Sequence, residues 1–207
     1  MRRMLPLFIA ALASTSMVPA SARAQATSKP MERASTAPAL APELASVKNS
    51  LAKYADVTVA LRDGYLSTVG CIDYPKGAQE GTVTFPPGAM GVHFLNVANI
   101  GPKLDPAKPQ VLIYEPVNGK LRLAAAEWFV PVQVAGGKAP TLFGQTFAGP
   151  MDGHYPVMPK ELRHYDLHVW LWKPNPRGVF SPTNTALKCP AGDPYTYAEG
   201  MGAHHHM

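Results

Sequence analysis

Three ligand-type side chains crowd one short stretch, "RHYDLHVWLW" (163–172), which carries His164, Asp166 and His168 among aromatic and branched residues. Read as a strand, with a rise of about 3.3 Å per residue, these three repeat at about 7 Å steps along one face. Trp170 and Trp172 continue that face, while Tyr165, Leu167, Val169 and Leu171 form the other. Imidazoles and a carboxylate in that row suit a first-row metal ion such as zinc, copper, iron or manganese. Two imidazoles four residues apart on a strand do not close a site alone, so neighbouring strands must supply the rest.

The candidates are His93 in "MGVHFLN" and Glu127 in "LRLAAAEWFVP", which with His164 and His168 make the expected ligand set. Asp166, Glu115 at the end of "VLIYEP" and Asn96 are the expected supporting groups, since a lone charge in apolar company is costly. Three chemistries follow from such a set. It binds a metal ion or small ligand; or its ion activates water for hydrolysis, with Glu115 or Asp166 as base; or the groups form an ion-free His/Glu network that holds a sheet together. The chain contains no G-x-S-x-G, G-x-G-x-x-G, P-loop, C-x-x-C or H-E-x-x-H signature. Met90, Met151 and Met158 lie near the histidines in sequence and read as gap-filling residues.

These residues need a sheet to bring them together. Strands are expected over Gly91–Val97, Gln110–Pro116, Leu121–Val132 and His164–Trp172, and Asn118-Gly119 marks a hairpin between the second and third. Upstream, Leu44, Val47, Leu51, Tyr54, Leu61 and Tyr65 recur at helical spacing, predicting one amphipathic helix of about 20 residues with Gly64 as its C-cap. Residues 135–163 are rich in glycine and proline and read as a long loop. The expected fold is α+β: an N-terminal amphipathic helix packed on a mainly antiparallel sheet or partly closed barrel.

Arg2 and Arg3, an apolar run from Met4 to Ala13 and A-x-A triplets give residues 1–24 the pattern of a secretory signal peptide. A flexible leader (25–42), a single globular domain (43–190) and a disordered tail (191–207) follow, the tail ending in His204, His205 and His206, which are native or a tag remnant. The apolar run is too short for a membrane span, which takes about 20 residues. Without residues 1–24 the charge balance is 16 basic against 14 acidic residues, and no basic patch suggests nucleic-acid binding. Export to periplasm or medium makes a Cys71–Cys189 disulfide the default pairing.

The blocks "GAMGVHFLN", "VLIYEP", "EWFVP", "LFGQTFAGPM" and "HYDLHVWLWKPNPRGVF" resemble an uncharacterised group of exported bacterial proteins from about Asp63 to Cys189. That resemblance implies a shared domain and carries no activity with it.

Overall fold

Pro42 opens helix α1 (Pro42–Leu51), with Glu43 in its first turn and Lys48 in its last, as the helix dipole favours. Leu44, Val47 and Leu51 form its buried stripe, each worth about 1.5–3 kcal/mol of burial. The expected single helix does not continue to Gly64. After a 3₁₀ turn over Ala52–Ala55 the chain extends at Asp56, whose side chain accepts from the Thr58 amide and so starts a new helix, α2 (Val57–Arg62). An aspartate two residues before a threonine is a better N-cap than helix interior, because its carboxylate competes for backbone amides. Gly64 does end the helical region, at φ 92°.

The computed structural model describes residues 39–154 and 158–191. The expected signal peptide, most of the leader, and the tail from 192, with its histidine tract, lie outside the described residues. Among the described residues ten strands follow α2: β1 (Leu66–Tyr74), β2 (Ala78–Glu80), β3 (Val83–Phe85), β4 (Gly88–Leu95) and β5 (Val111–Val117). Then come β6 (Lys120–Pro131), β7 (Thr141–Leu142), β8 (Gln145–Thr146), β9 (Ala148–Met151) and β10 (His164–Val169). Six of them form one antiparallel sheet in the order β1-β4-β5-β6-β10-β9. It is open, with β1 and β9 as edges, so the partly closed barrel is not what forms. Pro150 in β9 has no amide proton to donate and fits an edge.

Asn118 and Gly119, at φ 51° and 72°, make the expected tight turn between β5 and β6. The long loop expected over 135–163 instead contains β7, β8 and β9. The strand expected to run to Trp172 ends at Val169, where the Trp170 amide turns to the Val179 carbonyl. Its indole donates to the Ser181 carbonyl, so the two tryptophans do not extend the histidine row.

Residues opposed across an antiparallel ladder share a face. One face of the sheet, with Phe94, Leu112, Ala126, Leu167 and Val169, joins the core of α1, and the Tyr114 hydroxyl donates to the Tyr54 carbonyl beside it. On the other face stand His93, Glu127, Phe129 and the row His164, Asp166, His168. A smaller core of Ile72, Tyr74, Phe85, Met90 and Met151 lies against that side, with the β2–β3 hairpin contributing Phe85. The expected Cys71–Cys189 disulfide forms, and it ties β1 to the segment after Leu187.

Candidate metal centre

Strand register assembles the site. His168 of β10 stands directly opposite Glu127 of β6. His93 of β4 reaches over β5 from two strands away, and its Nε2 lies 3.3 Å from Glu127 Oε2. His168 Nε2 lies 3.5 Å from the same oxygen. These three side chains are buried and their ligand atoms lie within 4.8 Å of one another.

A second cluster with the same limit consists of His154, His164 and Asp166. His164 Nε2 is 4.0 Å from Asp166 Oδ2, and Asp166 Oδ1 is 3.7 Å from His168 Nδ1. His154 Nδ1 forms an ion pair with Glu80 Oε2, and the other Glu80 oxygen accepts from the Tyr74 hydroxyl at 2.8 Å. Both clusters have two imidazoles and one carboxylate.

The backbone fixes two of the rings. His93 Nδ1 lies 3.2 Å from the Gly91 carbonyl and His164 Nδ1 lies 3.1 Å from the Leu162 carbonyl. A carbonyl only accepts, so Nδ1 carries a proton in each case, and Nε2 is the nitrogen each ring can offer a metal. This is the arrangement by which proteins orient metal-binding histidines.

Hydrogen bonding does not account for the atoms that face inward. Glu127 Oε2, both ring nitrogens of His168, His164 Nε2 and Asp166 Oδ2 are buried with no hydrogen-bond partner. Glu80 Oε2 and His154 Nδ1 meet as an ion pair without hydrogen-bond geometry. Leaving a buried polar atom unsatisfied costs about 1–3 kcal/mol, and folded proteins rarely tolerate several at one place. The separations at Glu127 are too long for good hydrogen bonds, yet they suit shared coordination. Two atoms each about 2.1 Å from one ion at the tetrahedral angle stand about 3.4 Å apart.

Charges in the cluster bias one another. Burial works to raise the Glu127 carboxyl, but His168 and His93 override it and hold it at about 2. Burial works to lower His168, and Glu127 with Asp166 reverses this, lifting it to about 9. His154 is also raised, its burial outweighed by Glu80, Asp166 and Glu127. His164 goes the other way: burial dominates and favours the neutral ring.

A cavity of about 20 Å³ adjoins both clusters, lined by His93, Glu127 and His154 together with Ile72, Leu95, Val111, Phe129 and Met158. That is room for about one water molecule.

Of the four ligands expected from sequence, His93, Glu127 and His168 meet, whereas His164 sits in the second cluster. Asp166 lies between the two. Glu115 is engaged elsewhere: Lys173 Nζ donates to both its oxygens at 2.9 Å. Asn96 accepts from the Ala98 amide and donates to the Asp63 carbonyl, capping the turn after β4. Sequence reasoning missed His154 and Glu80 as members of the site. The three tryptophans are not among the residues lining this cavity; the Trp128 indole donates to the Asp105 carbonyl. No helix among the described residues is long and apolar enough to cross a membrane. Comparison with protein-family models, with curated proteins and with solved structures returns no match, so the geometry of these clusters carries the functional reading.

Proposed function

We propose that this is an exported metal-binding protein whose buried centre takes a divalent first-row ion on His93, Glu127 and His168. The observation that carries the reading is Glu127 Oε2: a fully enclosed carboxylate oxygen with no hydrogen bond and an imidazole nitrogen at 3.3 and 3.5 Å on either side. An ion at this point is shared by all three atoms, and two imidazoles with a carboxylate suit zinc or iron(II) best among the candidate metals. Such a triad leaves a further coordination position, and the adjoining cavity admits one water-sized ligand there. Hydrolysis of a larger substrate needs more room than that cavity gives, which favours binding over the hydrolase reading. Export is supported by the N-terminal charged and apolar pattern and by the disulfide.

Elemental analysis of protein with His204, His205 and His206 replaced tests the assignment. Metal is expected to co-purify with it or to load stoichiometrically, and His93→Ala/His168→Ala is expected to lose that ion. Metal content unchanged by the double substitution would exclude these ligands.

A further inference from the structure

We propose that the second cluster, His154, His164 and Asp166, holds a second divalent ion, and that Asp166 links the two sites. The inference rests on the first site being a metal site, and it adds a separate one.

Each ligand carries its own support. His164 is fully enclosed; its Nδ1 proton is taken by the Leu162 carbonyl, and its Nε2 is buried, unpartnered and directed at Asp166 Oδ2. Asp166 Oδ2 is likewise buried without a hydrogen bond. His154 enters from the segment after β9 and is oriented by Glu80, which Tyr74 holds in turn. Once an ion displaces its second proton, an imidazole whose Nδ1 faces a carboxylate offers its lone pair at Nε2, and a carboxylate behind a histidine raises its strength as a ligand.

Asp166 has two jobs in this arrangement. Oδ2 ligates the second ion, while Oδ1, 3.7 Å from His168 Nδ1, accepts that ring's proton when His168 Nε2 ligates the first. The same carboxylate is therefore a ligand at one site and the orienting group at the other. The two sites match in composition, and each brings one negative carboxylate to a dipositive ion. A Cβ added at Gly153 would lie 1.8 Å from the Pro159 carbonyl oxygen, so only glycine lets the chain pass there and deliver His154.

The test is metal stoichiometry in the full chain with the tail histidines replaced, loaded with Zn²⁺ and freed of excess. Two ions per chain are expected. His154→Ala and His164→Ala should each retain one, His93→Ala should retain one, and His93→Ala/His164→Ala should retain none. Asp166→Asn keeps the side-chain volume and serves where alanine at an enclosed position prevents folding; it too should drop the count to one. Glu80→Gln, which removes no ligand, should weaken the second ion alone by about 10- to 100-fold. One ion in the unsubstituted protein, unaffected by His154→Ala, overturns the second site and leaves the first standing. A count of two unchanged by the His154, His164 and Asp166 variants overturns it as well, and a count of zero overturns both readings.

Discussion

Glu127 and His168 set the chemistry at the residue scale, because each carries a charge that burial opposes and only the other groups of the cluster sustain. In metal-free protein His168 titrates near 9 instead of 6.5. Its protonation therefore stabilises the fold fully below about pH 6.5, and that contribution is lost as pH rises through 9. Glu127, at about 2 instead of 4.5, stabilises above 4.5 and loses its contribution as pH falls toward 2. With an ion bound at Nε2, His168 is a neutral ligand that keeps only its Nδ1 proton, so the titration near 9 is absent on the alkaline side. Chelator-treated protein should thus lose melting temperature between pH 6.5 and 9, and loaded protein should not. Equal alkaline losses with and without metal would count against His168 as a ligand.

The row His164, Asp166, His168 was legible in sequence because the period of a strand is short-range. What escaped was partnership. His154 lies in a glycine- and proline-bearing stretch without periodicity, and Glu80 sits beside a two-residue turn that reads as surface. Glu115 looked like a site residue because apolar neighbours surround it in sequence; the group that neutralises it, Lys173, is 58 residues away.

Among the elements, β4 positions His93 through its backbone. Gly91 has φ 87°, and a Cβ there would lie 2.8 Å from the Tyr114 carbonyl oxygen, while its own carbonyl receives the His93 ring proton. Gly91→Ala should lower stability by about 1–3 kcal/mol, measured by denaturant unfolding. It should also weaken the first ion by about 10- to 100-fold; wild-type stability and affinity would show that β4 needs no glycine there. Strands β4, β5, β6 and β10 could be placed from their apolar runs and the Asn-Gly turn. β1 was missed because Gly70 and a bulge interrupt its alternation, and β9 because a proline edge strand looks like loop. The helix was overextended because Asp56 fits the helical spacing of its neighbours while its carboxylate caps a new start.

For the molecule as a whole, the Cys71–Cys189 bond joins residues 118 positions apart. Closing a loop of that length is worth about 4–5 kcal/mol through unfolded-state entropy. Reduction should lower the unfolding free energy by up to about that amount; no change on reduction would mean the link does not constrain the unfolded chain. The pairing was readable from cysteine number and compartment, whereas its anchor on β1, beside the cavity residue Ile72, depended on a strand not foreseen.

The most direct measurement is anomalous diffraction at the metal edge from crystals of protein loaded with Zn²⁺. A peak about 2.0–2.2 Å from His93 Nε2, His168 Nε2 and a Glu127 oxygen is predicted. A map with no peak among these three residues in metal-loaded crystals, their side chains instead hydrogen-bonded to one another, would contradict the account.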